Sequence, residues 1–451
     1  MTSRMHEHDP QLTSLVFDYL QRRLAMDPVP LDRPGDAAEI QAALSGLITP
    51  GGRGAPAALS VYSETIAKSV LSADHPKFWA FIPAAPTKAS LLFDMVVSCA
   101  SIQGISWLEA AGAVAAENQV LRWIADSAGL PEGAGGTFVS GGSAANLSAL
   151  VVARETARRK RAPGAKLRIA VSDQAHSSIR NTANIIGVEL FVVPTQDHVL
   201  TAAALRLAID ADPTGAAEAF AVVGTCGTTN AGIIDDLSGI AEVARERDWW
   251  FHVDGAYGGA GLLAPSVRGL YAGIEHADSF IVDPHKWLFA PFDCAALIYR
   301  QPALARAVHT QDASYLDAIH DSEEWNPTDY AYHLTRRARG LPLWFSLVVH
   351  GTDAYTEAVE SSLTLARETA KLIAATPGLK LLRQPTLSVV LWQRDGWSAV
   401  DYNEWSHRIL ADQVAFVTPT QWAGQTVGRF AFLHPKTTIA DVREVLATLQ
   451  G

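Results

Sequence analysis

The chain has 451 residues, 48% hydrophobic and 18% charged, enough for a large core and more than one structural lobe. Its net charge of -11 comes without a basic block, which argues against nucleic acid and anionic membrane as partners. No apolar run is long enough to span a bilayer, and "MTSRMHEHDPQLTSLVFDYLQRRL" holds no apolar signal core, so a cytoplasmic protein is expected.

Residues 9–75 read as helical, broken by the three prolines of "DPVPLDRPGD". From residue 76 the pattern changes to short apolar runs that end in small or polar residues, separated by longer helical patterns. The predicted strands are "GTFVSGG", "LRIAVSDQAH", "LFVVP", "AFAVVGTCGTT", "WWFHVDGAYGG", "SFIVDPHKW" and "AALIYR". Their continuous β-branched and aromatic content is what strands buried on both faces require. Helical patterns such as "SAANLSALVVARETARRK" and "LSGIAEVARERD" lie between them, so an α/β chain with a mainly parallel sheet is expected. Residues 341–451 combine a long helix, "TDAYTEAVESSLTLARETAKLIAAT", with the strands "LSVVLWQR" and "RFAFLH", and read as a smaller α+β lobe. Cys99, Cys226 and Cys294 have no metal-type spacing and sit in or after apolar runs; they are expected to be buried thiols of a reducing compartment.

In open α/β sheets ligands bind at the carboxyl ends of strands, and four polar positions fall there: Gly142–Ser143, His176, Asp254 and Lys286. "VSGGSAANLSAL" brings two glycines to a helix start, where free N–H groups and the dipole favour an anion such as phosphate. It reads also as an ordinary glycine-rich turn capped by Ser143. A carboxylate closing a buried strand, as Asp254 does in "HVDGAYGG", is costly without a cation or donor; a pyridinium N–H would serve, and so would a role as loop cap. His176 in "SDQAHSSI" can lie flat on an aromatic ligand or act as a structural hydrogen-bonder. Lys286 lies among Trp287, Leu288, Phe289 and Phe292, where a dry amine becomes nucleophilic toward aldehydes. Phosphate cradle, ring stacker, carboxylate and amine together match pyridoxal 5′-phosphate. A nicotinamide would not need the lysine, and no zinc-type spacing suggests a metal.

The order and spacing of "HPKFWAFIPAA", "SDQAHSSI", "GTTNAGIIDDL", "HVDGAYGGA", "HADSFIVDPHKWLFAPFDC", "RRARGLPLW" and "RFAFLHPKTT" resemble the pyridoxal-phosphate-dependent group II amino acid decarboxylases, the family of aromatic L-amino acid decarboxylase. The resemblance implies an aspartate-aminotransferase-like, fold type I architecture. Its parts would be an N-terminal helical segment (1–75) packing on a partner subunit, a large cofactor domain (76–340) and a small C-terminal domain (341–451). It further implies a homodimer with shared sites, acting on a small-molecule amino acid. By resemblance Lys286 is the Schiff-base lysine, Asp254 the partner of the pyridine nitrogen and His176 the ring stacker; Gly142 and Ser143 form the phosphate loop. Ala256 packs near the ring, His285 lies near the phosphate, and Thr229 and His252 surround the cofactor and the substrate carboxylate. Tyr315, 29 residues past the lysine, matches the loop tyrosine that protonates the carbanion. The implied reaction is decarboxylation through an external aldimine and a quinonoid, with aldehyde synthesis or other carbon–carbon lysis as the alternative. The polar stretch "SYLDAIHDSEEWNPTDYAY" suits a lid.

The expected substrate pocket draws on Phe81, Pro83, Ala84, Gln103, Ile105 and His252, with Trp79 and Ile82 adding apolar lining and an aromatic or bulky apolar amino acid as the substrate. Ala84, Gln103, Ile105 and Thr335 depart from the family pattern at positions tied to substrate choice, and Asp283 stands where many members carry asparagine beside the phosphate.

Overall fold

The computed structural model describes residues 4–320 and 324–449, the side chains of Arg4, Tyr315 and His320 excepted. A seven-stranded sheet forms the centre: β1 (Gly135–Val139), β2 (Arg168–Ser172), β3 (Glu189–Val193), β4 (Ala219–Thr225), β5 (Trp250–Asp254), β6 (Ser279–Val282) and β7 (Ala295–Tyr299), in the order β1-β7-β6-β5-β4-β2-β3. β7 runs antiparallel to both neighbours and every other pair is parallel, so the sheet is mainly parallel as the apolar runs predict. β4 to β7 are buried at every position, because helices cover both faces.

A second sheet of β8 (Leu379–Leu381), β9 (Val389–Arg394), β10 (Thr420–Trp422) and β11 (Gln425–Ala431) is antiparallel, in the order β10-β11-β9-β8. The short β8 and β10 have no counterpart among the predicted strands; at three half-exposed residues each they carry too little pattern. The Trp79 ring packs 5.2 Å from both Phe430 and Phe432, inside the core of this sheet rather than in a substrate pocket. Burial of one such ring contributes about 1.5–3 kcal/mol.

The long helix Leu341–Ala375 is broken at Gly351, whose φ of 74° only glycine adopts at low cost. Before the break Phe345 stacks on Phe93 of helix Lys88–Cys99 at 4.2 Å; after it Leu365 and Ile373 enter the small-sheet core. At the N-terminus, α1 (Pro10–Ala25) and α2 (Ala37–Leu44) are capped by Asp9 and Asp36, and the prolines fall in the gap between them. Together with α3 (Ala55–Val61) they bury no residue at all. The three cysteines are unpaired; Cys226 and Cys294 are buried, but Cys99, at the end of its helix, is exposed, contrary to expectation.

Candidate active site

The carboxyl ends of β1, β2, β4, β5 and β6 open into a cavity of about 570 Å³. Its walls include Gly142, Ser143, His176, Thr229, Asp254, Ala256, His285 and Lys286, so all eight expected cofactor contacts meet in one place. Each comes from the last residue of its strand or from the loop or helix start that follows.

At one end of the cavity the Asp254 carboxylate and Asn146 have a partner on each polar atom. Trp250, His252 and Asp254 share one face of β5, since alternate residues of a strand point the same way, and helix α4 (Gly142–Arg158) crosses that face. From α4, Asn146 Nδ2 donates to Asp254 Oδ2 and to Ser178 Oγ, both at 3.0 Å. Its Oδ1 lies 2.8 Å from His252 Nε2. His252 Nδ1 lies 2.7 Å from Ser279 Oγ on β6, which Trp250 Nε1 reaches at 2.8 Å. The second oxygen of Asp254 accepts from Ala256 N at 3.0 Å. Burial pushes His252 down to about 4, against the pull of Asp254, so the imidazole is neutral. His176 caps helix Ser177–Ile186: its Nδ1 accepts from Ser178 N at 3.2 Å and lies 2.8 Å from Ser178 Oγ, while its ring is exposed to the cavity.

At the other end the partners are fewer. Asp283 Oδ2 accepts from Gly142 N at 3.2 Å and lies 2.9 Å from Lys286 Nζ. A Cβ on Gly142 would stand 2.9 Å from that oxygen, so only glycine lets the loop come this close. Asp283 is 2% exposed, and its Oδ1 has no hydrogen-bond partner among the described residues. His285 accepts from Cys294 N at 3.0 Å through Nδ1 and is held below its ordinary range by burial, with Nε2 3.7 Å from Asp283. Trp287, fully buried, stacks on Tyr257 at 5.3 Å. Tyr257, pushed up to about 12 by burial, meets Ser388 Oγ at 2.5 Å and so ties the site to the small sheet. Arg429, 4% exposed and lowered to about 10 by burial, donates to the carbonyls of Thr229 and Asn230 and has no carboxylate partner among the described residues.

The substrate residues expected from sequence are elsewhere. His252 has no exposure and lies behind Asp254, so it cannot touch a substrate. Phe81 is exposed, Pro83 is buried, and Ala84 lines a neighbouring hollow that shares Phe292 with the main cavity. Gln103 donates to Glu109 at 3.3 Å, and Ile105 packs on Leu316 and Ile319. None of these five reaches the cavity of its own chain. Tyr315 belongs to the short turn Ser314–Leu316; its side chain lies outside the described residues. Sequence reading missed Asn146, Ser178 and Ser279. The signal for Ser279 is that it pairs with His252 across β5 and β6.

The cavity fits pyridoxal 5′-phosphate. It offers an open glycine loop at a helix start, a carboxylate with one donor-bearing wall, an exposed imidazole and an amine, and two buried orphan oxygens, Asp283 Oδ1 and Thr225 Oγ1, in its walls. Comparison with known proteins agrees. The pyridoxal-dependent decarboxylase conserved domain matches residues 56–394. The aromatic-L-amino-acid decarboxylase of Sus scrofa is 31% identical over 398 residues, 83% of this chain and 82% of the relative. An Oryza sativa TDC structure, solved with PLP and tryptamine, superposes with a TM-score of 0.90 at 24% identity, covering 98% of this chain and 99% of that one. A Rhodiola rosea 4-hydroxyphenylacetaldehyde synthase structure gives 0.87 at 24% identity, covering 98% and 96%. The matched domain spans every residue that lines the cavity described above. The chain belongs to the pyridoxal-phosphate-dependent amino acid decarboxylases.

Proposed function

We propose that this enzyme converts an aromatic L-amino acid to its amine and carbon dioxide, with Lys286, Asp254, His176 and Tyr315 in the working roles. The observation that carries the assignment is the convergence of Lys286, Asp254 and His176 on one cavity beside the Gly142–Ser143 helix start. The aromatic class is supported by the Sus scrofa relative's name and by a cavity wall with no arginine among its described residues to receive an acidic side chain.

Pyridoxal 5′-phosphate, when bound, supplies an aldehyde carbon for the amine and a ring that holds the electron pair left by departing carbon dioxide. The phosphate would be held by the α4 dipole and by Ser143 at the close glycine turn, the Gly142 N–H being engaged by Asp283. His176, exposed to the cavity, would offer its imidazole to the ring. Asp254, held by Asn146 and Ala256, would favour a proton on the pyridine nitrogen. Lys286 would anchor the aldehyde, with the buried Trp287 and Leu288 following it in the chain. Arg429 raises the positive potential at Thr229, the end suited to the substrate carboxylate. The Tyr315 hydroxyl returns a proton to Cα; its position in the sequence supports this role.

The enzyme works as a homodimer in a reducing, cytoplasmic setting. Support comes from the N-terminal helices, which bury nothing in their own chain and expose Leu12, Phe17 and Leu44, and from the expected pocket residues, which do not line the active-site cavity of their own chain. Three unpaired cysteines and the absence of a membrane-spanning helix among the described residues fit that setting.

The test is a panel of aromatic, aliphatic and acidic amino acids given to the loaded enzyme, with product analysis. Amine and carbon dioxide in equal amounts from aromatic substrates are expected. Aldehyde with ammonia and peroxide sinks the decarboxylase assignment for this chain, and turnover confined to acidic substrates sinks the aromatic one. Tyr315→Phe is expected to move product from amine toward aldehyde.

A further inference from the structure

We propose that Asn146 is a positioning residue that sets both Asp254 and His176 through one hydrogen-bond chain with a single permitted direction. The inference rests on the roles given above to Asp254 and His176.

The direction follows from the two ends. Trp250 Nε1 can only donate, and it donates to Ser279 Oγ. The Asp254 carboxylate can only accept, and it accepts from Asn146 Nδ2. That fixes the amide: Oδ1 faces His252, so His252 Nε2 must carry the proton. His252 Nδ1 is then bare and accepts the Ser279 hydroxyl proton. The second Nδ2 proton goes to Ser178 Oγ, which turns its own proton to His176 Nδ1. His176 Nδ1 also accepts from Ser178 N, so it is bare and the ring proton sits on Nε2, on the side of the cavity.

Each donor in the chain is used once, and no buried polar atom of Asn146, Ser178, His252, Ser279 or Trp250 lacks a partner. A chain with both ends fixed cannot reverse without stranding a buried donor. Asn146 and His252 have 1% and no exposure, so water cannot repair it. The neutral His252 is the weak link, since a proton on Nδ1 would meet the Ser279 hydroxyl; burial opposes that proton.

The discriminating variant is Asn146→Leu. It keeps the volume of the side chain and removes its donors and its acceptor without adding a charge beside Asp254, so a role in packing alone would tolerate it. In the loaded enzyme kcat is expected to fall roughly 100-fold with KM changed less than about threefold, the scale of a misplaced reacting group. ¹⁵N NMR of histidine-labelled protein reports the ring protons. Wild type is expected to show His176 and His252 neutral with the proton on Nε2. The variant is expected to lose that assignment at His252, whose Nε2 then has no acceptor, and to shift the Nδ1 signal of His176, which keeps its bond from Ser178 N. Ser178→Ala gives a second route that spares Asp254: the His176 Nδ1 signal alone is expected to shift, through loss of the hydroxyl donor. Wild-type activity and unchanged histidine signals in either variant overturn the proposal. Lys286→Ala provides the separate arm. If the visible band of the bound cofactor persists without that lysine, the reading of the site itself fails. If the band depends on Lys286 and Asn146→Leu is silent, only the role of Asn146 falls.

Discussion

The two ends of the cavity differ in how finished they are. Around Asp254 most hydrogen bonds are made: the carboxylate takes Asn146 on one oxygen and Ala256 on the other, Asn146 is itself tied on every side, and the Thr225 hydroxyl on the next strand is left without a partner among the described residues. Around Lys286 one carboxylate oxygen serves both the loop N–H and the amine, and the other has no partner. A buried orphan costs about 1–3 kcal/mol. The ring end is built to hold one geometry, where field and orientation matter most. The lysine end is built to change partners, as a covalent anchor that is released and reformed must.

The largest break in that contrast is Lys286→Ala. Loss of turnover by at least about 10⁴-fold is expected, together with loss of the visible band of lysine-bound cofactor. Retained turnover at wild-type level would remove the lysine from the chemistry. Next is Asp254→Asn, which keeps the size of the side chain and discards its charge. A fall in kcat of about 10²–10³-fold is expected, with the lysine-bound band still present. Loss of the band instead would place Asp254 at the anchor and erase the distinction between the two ends.

Asp283→Asn addresses the unfinished end. It removes an anion from beside the phosphate loop while leaving an oxygen for Gly142 N. Cofactor affinity, measured by fluorescence titration, is expected to rise about tenfold, or about 1.4 kcal/mol. Weaker binding would mean that Asp283 helps the anion to bind, through a proton it carries.

A smaller, pH-dependent difference concerns the fold. His252 has a folded value of about 4, below the ordinary value of 6.5, because burial disfavours its charge. The unfolded chain takes up that proton first as pH falls, so stability is lost between about pH 6.5 and 4, by about 3 kcal/mol in all. Asp235, pushed up to about 7 by burial, has the opposite sign: its share is lost as pH rises from about 4 toward 7. Melting temperatures across this range are expected to fall on the acid side, and less steeply in His252→Gln. An identical acid slope in the variant would assign the loss to other groups, such as His333 and His434, which burial also lowers to about 4.

The sequence shows the finished end and the unfinished end unequally. Seven of the seven expected strands of the large sheet form, because runs such as "WWFHVD" and "AFAVVGT" are apolar without interruption. Lys286, Asp254 and His176 stand out because each is a polar residue where such a run stops. Asn146 does not stand out. It sits inside a helical pattern, and its partners Ser178, His252 and Asp254 lie 32, 106 and 108 residues away. His252 was expected at the substrate; the alternation of β5 instead puts it on the same face as Asp254, one step deeper under α4. The pocket residues Phe81 to Ile105 have the right composition for a lining, but no local pattern says in which cavity, or against which copy of the chain, they are used.

His176 has two employments, and they are inseparable in a single substitution. Its ring opens onto the cavity while its Nδ1 closes the first turn of helix Ser177–Ile186. An activity loss at this position therefore mixes an uncapped helix, about 1 kcal/mol, with a lost contact to the ligand. His176→Asn restores the cap without the ring, and His176→Phe restores a flat ring without the cap. The pair turns one ambiguous position into two measurable quantities, and it explains why a residue so near the chemistry should also govern how firmly a neighbouring helix is wound.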